Sequence, residues 1–182
     1  NTFFIHKHEV PADRFSDTTY AKFVCNERPQ KKEVNRTRMT AGGNRINYPG
    51  EVGTPTAEMA LVKVLWNSVI STKNARYMTM DLKDFYLNTP LRRFEYIKLK
   101  MSDVPPEIVD EYNLHEKETE DGHVYLEVRR GMYGLPQAGL IAQEELEGRL
   151  NKHGYRQSKL VPGLWLHDWR PFLSLLSLTT SG

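Results

Sequence analysis

Residues 75–91 read ARYMTMDLKDFYLNTPL, and the reading of this stretch decides the fold. Tyr77, Thr79 and Asp81 alternate with Met78, Met80 and Leu82, the period of a β-strand whose last outward residue is acidic. Asp84, Phe85 and Tyr86 follow directly downstream. Carboxylate oxygens suit hard cations, so Asp81, at the tip of an apolar strand, is expected to be a metal ligand.

Upstream of this stretch the pattern changes to that of a helix. Thr54 can cap it, Pro55 suits its first position and Glu58 favours its positive end. Met59, Val62, Leu65, Trp66 and Val69 then fall at helical spacing as a core-facing stripe. Further back, NRTRMTAGGN at 35–44 alternates basic and polar residues and breaks at Gly42 and Gly43. Arg36 and Arg38 would share one strand face and could grip one anion with two guanidiniums; an edge strand guarded by positive charge reads equally well. Residues 20–25, rich in aromatic and β-branched types, are expected to form another strand. His6 and His8 would lie on one side of a strand, but with no third ligand nearby they read as a surface pair.

Downstream, residues 94–101 alternate Ile97, Leu99 and Met101 against Tyr96, Lys98 and Lys100, a strand pattern that recurs at 123–130. Between them, 103–122 is acidic and contains prolines, a solvated excursion with a short helix after Pro105 and Pro106; His115 and His123 have no assigned role there. GMYGLPQAG at 131–139 is glycine-rich, which means either a bare turn or a place where a ligand approaches the backbone. A helix is expected over 140–153, with Ala142, Leu146 and Leu150 as its stripe and Gly154 as its C-terminal cap. A further strand is expected around residues 165–169.

Composition limits the possible classes. With 182 residues, 39% hydrophobic and 26% charged, the chain is globular rather than disordered. The single cysteine, Cys25, excludes a disulfide within the chain and a Cys-based metal cluster, and it makes a reducing compartment the simpler expectation. No apolar run approaches the roughly 20 residues of a membrane helix. The start, NTFFIHKHEV, lacks both a secretory layout and an initiator Met, so the chain is expected to come from something longer. Residues 1–100 hold 17 Lys+Arg against 10 Asp+Glu and residues 101–182 hold 8 against 13, a basic half joined to an acidic half within a net charge of +2. One surface facing a polyanion would fit that split.

Taken jointly and in order, RTRMTAGG at 36–43, MDLKDFYLNTPL at 80–91 and RRGMYGLPQAG at 129–139 resemble the reverse transcriptase domain of copia-type retrotransposons, over residues 34–166. The resemblance implies an α+β fold: the fingers and partial palm of a right-hand polymerase, an antiparallel sheet packed on helices, and no thumb. Residues 1–74 would be a fingers-like region, 75–170 a partial palm with fingers elements interleaved, and 171–182 an aberrant tail. The implied activity is RNA-directed DNA polymerase, with Mg²⁺ or Mn²⁺, deoxynucleoside triphosphates and a primed RNA or DNA template as partners. The parent would be a polyprotein with no membrane partner, located in the cytoplasm or in retrotransposon particles. By resemblance Asp81 is the catalytic residue bridging both metals, and the amides around Asp84 and Phe85 cup the triphosphate. Tyr86 is the aromatic gate against a ribose 2′-OH. Gln137, with Leu135 and Pro136, forms the motif that meets the incoming nucleotide and the template. Arg38 holds nucleotide phosphates, with Arg36 a second candidate on the same face.

One requirement of that family is missing. Two Mg²⁺ ions need a second carboxylate motif, a tandem Asp after an apolar strand, and the sequence contains no Asp-Asp pair. After Pro171 it reads FLSLLSLTTSG, without an acidic residue. Codons exist for this tail that, read in a shifted frame, give Ser-Leu-Thr-Leu-Val-Val-Asp-Asp-Phe-Gly, so a frameshift near Pro171 is our hypothesis for the loss. Sequencing the encoding DNA tests it, and a shifted frame without tandem Asp codons would sink it. The sequence therefore leads to an inactive polymerase fragment, a non-catalytic nucleic-acid-binding relic of it, or the unstable product of a degenerate reading frame.

Overall fold

The structure, a computed structural model, describes residues 2–54, 56–79, 82–171 and 173–175. The chain is mixed α+β, and its contacts separate it into two compact units: Asn1–Val52 with Asp84–Gly139, and Gly53–Lys83 with Leu140–Gly182.

The first unit is built on strands β1 (Thr2–Ile5), β2 (Thr19–Glu27), β3 (Asn35–Ala41), β4 (Pro90–Lys100) and β5 (His123–Arg130), in the order β1-β5-β4-β2-β3. Every pairing is antiparallel except β2 with β4. The centre is the β4–β5 pair, where Ile97 lies opposite Leu126 and Leu99 opposite Val124, all four buried. Each such aliphatic side chain contributes about 1.5–3 kcal/mol by leaving water. On the other face Tyr96 and Tyr125 pack with Val10 and half-buried Ile5. Apolar cover on both faces explains why residues 95–97 and 124–126 are buried without alternation. A register shift between Pro90 and Glu95 bends the start of β4. The acidic excursion carries a short helix, α2 (Pro106–Glu111), with Pro106 in its first turn.

The second unit holds α1 (Met59–Ser71), nearly all of α3 (Ala138–Asn151) and a small antiparallel sheet of β6 (Tyr155–Gln157), β7 (Leu164–His167) and β8 (Leu173–Leu175), in that order. Gly154, at φ +80°, closes the end of α3 with its N–H on Asn151 O at 3.1 Å. Among the described residues no helix is long and apolar enough to cross a membrane.

Three local expectations need correction. Tyr77, Met78 and Thr79 lie in irregular chain, not a strand. Tyr77 is held instead by Trp66, whose indole Nε1 donates to its hydroxyl at 2.7 Å. A period-two pattern supplies no neighbour, and a strand without one leaves its backbone groups unpaired. The helix α1 starts at Met59, with Glu58 at its N-cap, rather than beside Thr54. Its stripe is only half-buried at Val62, Leu65 and Val69, while Met59 and Trp66 are exposed. His6 and His8 flank or join the 3-10 turn Lys7–Glu9, where their rings stack at 5.2 Å, so strand alternation does not relate them. Met80, Asp81, Pro55 and residues 176–182 lie outside the described residues.

Candidate functional site

Three sequence-distant stretches of the first unit meet through their backbones. The Ala41 N–H donates to Tyr133 O at 2.8 Å, and the Gly131 N–H donates to Thr89 O at 2.8 Å. The loop of residues 131–137 is thereby tied to the end of β3 on one side and to the turn of residues 84–89 on the other. The glycines make this approach possible. A Cβ at Gly43 would lie 2.0 Å from Gly134 O, one at Gly131 would lie 2.2 Å from Tyr86 O, and one at Gly134 would lie 2.1 Å from Ala41 O. The group that approaches the glycine cluster in the structure is the protein's own main chain, not a ligand.

Side chains from the same three stretches form a small aromatic and cationic surface. The Arg38 guanidinium lies over the Tyr133 ring at 5.5 Å, and Tyr86 meets Tyr133 edge-on at 5.7 Å. Phe85 sits beside Tyr86 at 5.6 Å. Burial first, and the neighbouring Tyr133 second, push the Tyr86 phenol up from its ordinary value. Asp84 is exposed, in the left-handed region at φ +54°, and its carbonyl accepts the Asn88 N–H at 3.1 Å. Arg36 and Arg38 stand on β3, opposite Asn26 and Val24 of β2. Directly paired residues share a sheet face, so Lys22, two residues from Val24, joins them. Tyr20 extends the same face, with the Arg45 guanidinium over its ring at 5.5 Å. β3 is an edge strand, so both sequence readings of Arg36 and Arg38, anion grip and edge protection, fit its position.

Gln137, for which the resemblance implies a nucleotide contact, lies in the core of the first unit. Its side chain is wholly buried, and Nε2 donates to Glu95 Oε1 at 2.8 Å. Its own Oε1 meets no donor among the described residues. Glu95 is equally buried and accepts from Arg14 Nη2 at 2.6 Å, with Arg93 Nε 3.9 Å from its other oxygen. Asp17 links both guanidiniums, accepting from Arg14 Nε at 3.4 Å and from Arg93 Nη2 at 2.5 Å. Two carboxylates and two guanidiniums thus form a neutral cluster under the loop. Burial pushes the Glu95 carboxyl up, and the attraction of Arg14 and Arg93 opposes that rise. Leu135 is buried beside this cluster in sequence, and Pro136 is half-buried.

Sequence reasoning passed over Glu95, Arg14 and Tyr133. Glu95 left a signal: it sits at i−2 from Ile97 and i−4 from Leu99, so alternation already put a charge on the core face. Arg14 left none, because its partner is 81 positions away.

No family model, curated protein or solved structure matches the chain. Among the described residues no three His, Cys, Asp or Glu side chains gather into a metal site. The sequence holds no tandem Asp, the second carboxylate motif that the resemblance implies.

Proposed function

We propose that the chain is a fragment of an RNA-directed DNA polymerase of the copia-type retrotransposon kind, with fingers and partial palm and without polymerase activity of its own. The observation that carries this reading is the convergence of the three resembling stretches. Residues 36–43, 84–91 and 129–139 are far apart in sequence, yet main-chain hydrogen bonds and glycine contacts bring them together. A shared nucleotide site would require that meeting, and three unrelated motif coincidences would not. In this reading Arg38 and Arg36 receive nucleotide phosphates and Tyr86 faces the sugar. Asp81 would be half of a catalytic centre whose tandem-Asp partner is absent from the sequence, so Mg²⁺ or Mn²⁺ would be recruited incompletely.

Primer extension on a homopolymer template with Mg²⁺ or Mn²⁺ is expected to give no template-dependent product. Extension would overturn the inactivity. Binding of dTTP, weakened by Arg38→Ala, is the positive test of the nucleotide site.

A second reading, a non-catalytic nucleic-acid-binding relic, is favoured by one observation. Lys22, Arg36, Arg38 and Arg45 gather on or beside one face of the β2–β3 hairpin, next to the exposed Tyr20 ring. Salt-sensitive binding of a primer–template that survives Asp81→Ala would select this reading.

A further inference from the structure

The Gln137–Glu95 contact has no part in the reading above, and Gln137 belongs to the loop that carries Tyr133. The loop of residues 131–137 is held by main-chain bonds at Tyr133 and Gly131 and by a side-chain bond to the sheet, Gln137 Nε2 to Glu95. Tyr133, four residues before Gln137, supports the Arg38 guanidinium on its face and Tyr86 at its edge. A shift of the loop therefore moves the ring on which both neighbours rest.

Several details show why position 95 needs an anion. It receives donors from two directions, an amide N–H of Gln137 on Oε1 and a guanidinium N–H of Arg14 on Oε2. A carboxylate accepts at both oxygens; a glutamine in its place has one acceptor and turns its own N–H groups toward a donor. The charge also balances the cluster, in which Arg14 and Arg93 face Glu95 and Asp17. Both the Gln137 and Glu95 side chains are wholly buried, so neither can replace a lost bond with solvent.

We infer that Glu95 is a positioning residue: its carboxylate, held by Arg14, latches the loop of residues 131–137 to β4 through Gln137 and so holds Tyr133 under Arg38 and against Tyr86. The latch is a property of this chain whether or not the surface binds nucleotide; only its consequence for ligand binding rests on the function proposed above. The groups facing Glu95 are Arg14 and Asp17 of the 3-10 segment Ala12–Asp17, Arg93 of β4 and Gln137 of the loop. Burial raises the Glu95 carboxyl, and Arg14 and Arg93, which face it, oppose that rise.

The test is amide hydrogen exchange on the full chain without ligand, followed residue by residue. Ala41 and Gly131, whose N–H groups bond to Tyr133 and Thr89, report the loop; Leu126 in β5 reports global opening. Glu95→Gln is expected to speed exchange at Ala41 and Gly131 on the order of tenfold more than at Leu126, the loss of one charge-assisted bond. Gln137→Leu, which removes the amide donor and leaves the Arg14–Glu95 pair in place, is expected to speed the same two loop amides ahead of Leu126. Equal acceleration at all three amides in Glu95→Gln would overturn the latch. If Glu95→Gln fails to fold, Gln137→Leu decides the same point: acceleration confined to Ala41 and Gly131 supports the latch, and acceleration equal to that at Leu126 overturns it. Failure of dTTP to bind, with the exchange results as expected, would overturn the nucleotide reading and leave the latch standing.

Discussion

At Gly134 the backbone sits at φ +91°, and a Cβ there would lie 2.1 Å from the carbonyl oxygen of Ala41. Both facts disfavour any other residue, one through backbone strain and one through a clash with main chain that has no room to move. Gly134→Ala is expected to cost about 2–4 kcal/mol of stability, read as a lower urea midpoint. Glu95 gives a second expectation at this scale. Its carboxyl is raised by burial in the folded chain, with Arg14 and Arg93 opposing, so the folded state binds that proton more tightly than the unfolded one. Between the ordinary glutamate value, about 4.3, and the raised one, this group makes stability fall as pH rises. Glu95→Gln removes the titration, so the ratio of wild-type to variant stability is expected to be largest at the acid end of that window and to shrink toward neutral pH. Urea midpoints of both proteins from pH 4 to 7 check it; a difference that grows with pH contradicts it.

The elements were legible where alternation met a real neighbour. β5 spans His123–Arg130, the limits its period-two pattern gives, because Val124, Leu126 and Val128 face a core that β4 completes. Ile97→Ala, in a side chain with no exposure opposite Leu126, is expected to cost about 2–5 kcal/mol by loss of transfer energy and cavity formation. A melting temperature unchanged by that substitution would contradict the central role of the pair. The short strand β1 was hidden because four residues, TFFI, carry little periodicity and its partner β5 lies more than a hundred residues away. At residues 77–79 the pattern was present and the strand is not, and among the described residues no strand pairs with that stretch. The candidate site divides the same way. Arg38, Tyr86 and the glycine loop could be read as motifs, but their joining through Tyr133, and the burial of Gln137 on Glu95, depend on contacts that sequence spacing does not encode.

Across the whole molecule the sign of charge is uneven, with 17 Lys+Arg against 10 Asp+Glu in residues 1–100 and 8 against 13 in the remainder. The basic excess has a visible outlet on the β2–β3 hairpin, where Lys22, Arg36 and Arg38 share a face and Arg45 lies over Tyr20. A polyanion on that face would release counterions as each phosphate is neutralised, so the logarithm of the association constant should fall linearly with the logarithm of salt concentration. Two of these charges removed together, Arg36→Ala with Arg38→Ala, should lower the slope by about 1.8 for duplex, near 0.9 per phosphate contact. Lys152→Ala, an exposed charge in the acidic half, should leave it unchanged. Fluorescence anisotropy of a labelled primer–template between low and physiological salt measures all three slopes. A double variant that binds more weakly at every salt concentration with its slope intact would mean that the arginines support the surface through Tyr133 rather than touching phosphate. An equal drop in slope for Lys152→Ala would mean a diffuse attraction without a defined face.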